Sequence, residues 1–251
     1  MGPRAFFPAG RQHEKQDAQV IKSLIYINGL QQETRENNQA LAIADIEKEI
    51  ADSKEPVNSL LKRLQANLYW NYFQQHRWQM YNRTATTGFI KDDIKTWTAE
   101  DFHQKITQLF KQSLQAENLL QKTALPSFDA IIVKGNTRKL RPTLYDLLAH
   151  QALTYFTNDE RDVNKPAYAF KLDDEQLFSE ASRFATYDFK KEDTLANHYN
   201  ALKIYQRLLA FHLNDKTPDP LIDVDIERIG FAHQHTTLYK KDSLYVSECG
   251  N

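Results

Sequence analysis

LYWNYFQQHRWQMYNRT, residues 68–84, decides how the rest of the chain is read. Tyr69, Trp70, Tyr72, Phe73, Trp78 and Tyr81 crowd into it, and they include two of the chain's three tryptophans. Rings at this density make either a surface on which sugars or bases stack or the inside of a helical core. Angular position separates the two. At about 100° per residue, Leu61, Leu64, Leu68 and Tyr72 share one side of a helix. Tyr69, Phe73 and Met80 lie roughly a quarter turn away. Trp70 and Tyr81 face a third side, with Trp78 between that side and the first. A sugar platform gathers its rings on one exposed face, and an amphipathic surface helix has one apolar stripe. Rings pointing in most directions predict a helix enclosed by neighbours. Tyr69, Trp70, Tyr72, Phe73 and Trp78 are therefore assigned to a structural aromatic core. Trp70, Tyr72 and Phe73 are expected largely buried, and Trp78 at least half buried. Arg77 is placed to lie over a tryptophan face.

The same helix extends back to Pro56, which suits a first helical position. Its first half carries the stripe Val57, Leu60, Leu61, Leu64 and Leu68. Further helical periodicity runs over 13–29, 36–52, 98–120, 143–156, 193–212 and 219–235, with a short segment at 175–185. Thr98 and Thr143 each stand before an apolar-periodic run with Asp three residues on, a variant of the capping box. Seven glycines in 251 residues fit this reading, because hairpins and tight βα turns consume glycine. The predicted fold is all-α, an irregular stack of helical hairpins of solenoid-like kind. One short extended segment is entertained near 128–134, in DAIIVKG. Helix starts are too unevenly spaced for a regular repeat. Residues 1–12 read as a disordered or extraneous start, 13–237 as one helical domain with a weak boundary at 159–174, and 238–251 as a tail of uncertain origin.

Composition removes several functions. Lys plus Arg number 32 and Asp plus Glu 33, so the basic excess that phosphate-backbone binding needs is missing and no nucleic-acid partner is expected. The single cysteine, Cys249, rules out an intrachain disulfide and a cysteine-based zinc site. No apolar run is long enough to span a bilayer. His233 and His235, two apart, fall on different faces of a helix, and no third ligand has a natural spacing. No metal site and no cofactor are assigned. Asp146 and His150 at i, i+4 read first as a helix-stabilising pair and only second as an acid–base dyad. Asp223, Asp225 and Glu227 form an acidic run near a helix start, where carboxylates favour the dipole; the glycine-turned loop of a calcium-binding hand is absent. KGNTRKLRP places Arg138, Lys139 and Arg141 before a helix N-terminus as candidate anion contacts. The blander alternatives are a solvated basic loop or arginines paired to acidic neighbours. No catalytic residue is assigned, and the chain is not expected to be an enzyme.

Two stretches carry a resemblance. YWNYFQQHRW at 69–78 and RPTLYDLLAHQAL at 141–153 resemble patterns in the N-terminal helical region of the very large alpha-2-macroglobulin-like proteins of Bacteroidetes-type bacteria. There, Y-W-x-Y-(Y/F)-x-Q-x-R-W and R-P-T-(L/Y)-(Y/F)-D-x-L-A-H-x-A-L recur in the same order and spacing. ALAIADIEKEI and PDPLIDVDIERIGF are similar as well, so the resemblance spans roughly residues 16–237. It implies an exported, periplasmic or outer-membrane-associated protein of a Gram-negative bacterium. It further implies a helical scaffold or interaction module whose partners are the remainder of its own full-length chain and other envelope proteins. Members are thought to trap proteases with later β-sandwich domains. The thioester motif Cys-Gly-Glu-Gln of the wider family is not present; Cys249 stands in SECGN. Two other readings remain: a free-standing helical-repeat adaptor for a peptide or protein, and a carbohydrate-binding envelope component using Trp70, Trp78 and Trp97.

Overall fold

The computed structural model describes residues 22, 38–81, 93–132, 135–160, 170–189 and 196–249. The helix expected over 13–29 and the start at 1–12 lie outside the described residues, apart from Lys22. So do Val133 and Lys134 of the expected extended segment, most of the loop at 159–174, and the first residues of the helix expected from 193.

Among the described residues the chain is all-α, with nine α-helices and no strand. They are α1 (Asn38–Asp52), α2 (Val57–Tyr81), α3 (Ala99–Ser113), α4 (Glu117–Lys122), α5 (Leu144–Phe156), α6 (Ala181–Thr186), α7 (Asn197–His212), α8 (Asp219–His235) and α9 (Lys241–Cys249). The chain divides into two compact units. One holds the described residues up to Gly135 together with Thr143–Leu148; the other holds Asn136–Pro142 and the residues from Ala149 onward.

In the first unit, α1 and α2 form a hairpin. Asn58 Nδ2 donates to the Ile50 carbonyl at 2.9 Å and to Ser53 Oγ at 3.1 Å, closing the turn. Glu55 Oε2 accepts from the Ser59 N–H at 3.2 Å at the start of α2. Gln65 Nε2 reaches the Ile43 carbonyl inside the pair. α2 packs on α3 through rings. Tyr69 stacks on Trp97 with centroids 5.4 Å apart and planes at 8°. Phe102 lies 5.7 Å from Tyr72 and 5.9 Å from Phe73. Phe73 and Phe102 are fully buried, worth about 1.5–3 kcal/mol each in removed apolar surface.

The Thr-x-x-Asp signals mark real helix starts. Asp101 N–H donates to Thr98 Oγ1, while the Thr98 N–H donates back to Asp101 Oδ2 at 3.0 Å. The same reciprocal pair opens α5 between Thr143 and Asp146. The helix expected over 98–120 is two helices. At the end of α3, Leu114 and Gln115 donate to the carbonyls of Lys111 and Gln112, a tightening to i→i−3 bonds that stops the α-helix. Periodicity runs through the break because Leu114 and Leu120 are both buried.

The extended segment expected near 128–134 is not extended where it is described. Leu125–Phe128 is a 3-10 helix with Pro126 in its first turn, and the amides of Ile131 and Ile132 both donate to the Phe128 carbonyl. Proline's fixed φ and missing N–H favour a tight turn here over a ladder. An isolated bridge joins Ala124 to Thr143 just outside this turn. The expected segment at 175–185 is likewise split, into the 3-10 helix Glu175–Phe178 and α6.

In the second unit, α7 and α8 bury Tyr205, Leu208, Leu209, Val224, Phe231 and Ala232. The tail is not featureless: α9 docks on α8, with His233 Nε2 2.7 Å from Asp242 Oδ1 and the His233 ring 4.6 Å from that of Tyr245. No described helix is long and apolar enough to cross a membrane.

Candidate functional site

The acidic run Asp223, Asp225 and Glu227 sits early in α8. Helical spacing splits it. Asp223 and Glu227, at i and i+4, share one face, and Asp225 points to another. Each face meets its own arginine.

On the first face the partner comes from the loop Asn136–Pro142. Leu140 and Arg141 amides both donate to the Thr137 carbonyl at 3.0 Å, a single turn that presents Arg141. Arg141 Nε donates to Asp223 Oδ2 at 3.1 Å, and its Nη2 donates to Glu227 Oε1. One guanidinium fork thus spans two carboxylates a helical turn apart. The other oxygen of Glu227 lies 3.5 Å from His150 Nε2. The Tyr205 phenol is also within the field. Burial pushes its pKa well above the ordinary tyrosine range, Glu227 adds to the rise and Arg141 opposes it.

On the second face, Arg228 is fully buried. Its Nε donates to Asp225 Oδ1 at 2.9 Å, and its Nη1 donates to the carbonyls of Leu177 and Ser179 at 2.7 and 2.9 Å. Its guanidinium carbon lies 4.6 Å from the Phe184 ring centroid. A buried charge is tolerated only with this degree of satisfaction.

The three basic residues proposed from sequence therefore separate. Arg141 is committed to two carboxylates, which is the paired-arginine alternative of the sequence reading. Arg138 is half buried and Lys139 exposed. His150, Asp223 and Glu227 bring ligand atoms within 4.8 Å of one another. Arg141 already places a cation against both of those carboxylates. Asp146, the other member of the dyad considered from sequence, has a carboxylate that accepts the Thr143 N–H at 2.9 Å and its Oγ1–H at 2.8 Å, a helix cap.

The aromatic stretch divides too. Tyr69, Tyr72 and Phe73 are buried as expected. Burial, with Glu47 adding to it, drives the Tyr69 pKa upward. Trp70 is half buried and lies 5.5 Å from Phe73. Trp78 corrects the expectation: it is 74% exposed. It shares the solvent face of α2 with Asn71, Gln75 and Gln79, all exposed. The helix is thus amphipathic, with a solvent stripe that the wheel of rings alone obscured. Arg77 lies 5.2 Å from the Trp78 ring, the cation–π contact expected from sequence. A shallow cleft of about 320 Å³ lies in the first unit, lined by Glu49, Asp52, Ser53, Lys54, Glu55, Val57 and Leu61.

A further group escaped the sequence reading. Asp159, in the turn after α5, faces His198 at the start of α7 and His235 at the end of α8. Asp159 Oδ1 is 3.1 Å from His198 Nε2 and 3.3 Å from His235 Nδ1. These residues are far apart in sequence and share no periodic spacing, so only the fold brings them together.

No protein-family model, no curated protein and no solved structure matches this chain.

Proposed function

We propose that this chain is a non-catalytic helical scaffold and interaction module, the N-terminal helical part of a large bacterial envelope protein of alpha-2-macroglobulin-like type. The observation that carries the reading is where the motif residues fall. In YWNYFQQHRW, Tyr69, Tyr72 and Phe73 are core. In RPTLYDLLAHQAL, Arg141 ties its loop to α8, and Thr143 and Asp146 form a helix cap. Motifs whose side chains hold helices together are the signature of a scaffold. Asp146, one of the two residues considered for acid–base chemistry, is engaged in that cap.

In this reading the protease-trapping activity of such proteins belongs to other domains, and this chain's partners are the rest of its own polypeptide and neighbouring envelope proteins. The test is the complete reading frame together with cell fractionation. An export or lipoprotein signal upstream, β-sandwich domains downstream and recovery in the envelope fraction are the expected results. A reading frame without β-sandwich domains, or recovery in the cytosol, would remove the proposal.

A further inference from the structure

We propose that Asp159, His198 and His235 form a binding site for a divalent first-row transition metal, with zinc as the reference ion. The three donors are two imidazole nitrogens and one carboxylate oxygen, a set that suits zinc and its neighbours in the first row. Their spacing fits. Metal–ligand bonds of about 2.0–2.2 Å at tetrahedral angles put neighbouring donor atoms roughly 3.3–3.5 Å apart. The observed separations from Asp159 Oδ1 are 3.1 and 3.3 Å, and the three donor atoms all lie within 4.8 Å of one another.

The two rings are held in place. Phe231 packs 5.3 Å from His198 and 4.9 Å from His235, and the two imidazoles lie 4.5 Å apart. The side chains of His198 and His235 are 10% and 7% exposed, while that of Asp159 is 63% exposed. The site therefore has a dry aromatic wall behind and a side open to water. That side provides an entry path and room for solvent ligands beyond the three protein donors.

The Arg141 cluster supplies the contrast. It also gathers a histidine and carboxylates, but a guanidinium spans both acids there. At Asp159 the ion-pair partners among the described residues are the two imidazoles. Each imidazole nitrogen offers a lone pair when unprotonated, so a metal at this point would be held between the two rings and the Asp159 carboxylate oxygen. The ion would clip the turn after α5 to the start of α7 and the end of α8, all within the second unit. The proposal stands on this geometry and not on the scaffold reading.

The experiment uses the full chain without a histidine tag, stripped with chelator. Zn²⁺ is titrated calorimetrically, and Co²⁺ is followed by its visible d–d absorption. Asp159→Asn and His235→Gln are the test variants; Asp159 is a surface position, so that variant keeps its fold. His76→Gln, on α2, is the control. Expected are one equivalent of tight Zn²⁺ binding, intense Co²⁺ bands of a low-coordinate site, and a thermal midpoint raised by Zn²⁺. Affinity falls about a hundredfold or more in both test variants, beyond the range set by losing an outer-shell partner, and is unchanged in the control. Failure to take up one equivalent overturns the proposal. So does a loss smaller than about a hundredfold in either test variant, which is the range of an outer-shell partner and not of a ligand.

Discussion

Arg228 Nη1 donates to the carbonyl of Leu177 at 2.7 Å across a sequence separation of 51 residues. With the bond to Ser179 and the pair to Asp225, this guanidinium closes the second unit around one buried charge. Truncation would leave two carbonyls and one carboxylate short of donors. Arg228→Met should lower unfolding free energy by about 3 kcal/mol, the lower end for breaking a buried pair, since Asp225 keeps some water contact. Arg228→Lys should recover only part of this, because one ammonium cannot reproduce the fork. Urea denaturation of the variants measures both.

Arg141 tests a looser version of the same device. Its side chain and those of Asp223 and Glu227 are 26%, 19% and 36% exposed, so solvent screens the cluster. Arg141→Ala is expected to cost about 1–2 kcal/mol, less at high salt. Urea midpoints at low and high ionic strength give the comparison. Replacing Lys139, which is exposed, should change stability by less than about 0.5 kcal/mol.

The capping boxes give a third prediction. Thr98→Ala and Thr143→Ala each remove an acceptor from one N–H and a donor to one carboxylate. Each should cost about 1 kcal/mol, within the range of N-cap substitutions. Thr→Ser should be nearly neutral, because serine keeps the hydroxyl. Thermal denaturation separates the two substitutions at each site.

These boxes were legible in sequence because a cap is local: Thr and Asp three apart before an apolar run specify it. The all-α class was legible for the same reason, from periodicity and scarce glycine. What failed was anything settled by tertiary neighbours. Ring directions alone enclose Trp78, yet Asn71, Gln75 and Gln79 mark its face as wet. The break after Ser113 left no trace, since buried leucines continue on both sides. The turn at Leu125–Phe128 was signalled by Pro126 but outweighed by the apolar run after it. The sequence offers arginines paired to acidic neighbours as an alternative, but which acids pair with Arg141 depends on a loop meeting a distant helix. Asp159, His198 and His235 are the extreme case, with donors from three separate elements.

Alkaline pH should expose Tyr205. Its folded pKa is raised, chiefly by burial. The sign follows from linkage: the stability tied to the protonated phenol is complete below the unfolded value, about 10, and is lost as pH rises toward the folded one. Tyr205→Phe should flatten that loss without changing the slope near neutrality. Phenolate absorbance on alkaline titration should show Tyr205 and Tyr69 ionising only with unfolding.

The rings of α2 build a scaffold and do not form a ligand platform. Iodide quenching of tryptophan emission, compared between the parent chain and Trp78→Phe, tests it most directly. Trp97 is buried against Tyr69, Trp70 is half buried and Trp78 is exposed. The account predicts that Trp78→Phe removes most of the quenchable emission and leaves a blue-shifted, shielded remainder. Quenching that is unchanged by the substitution would show Trp70 and Trp97 open to solvent and would contradict it.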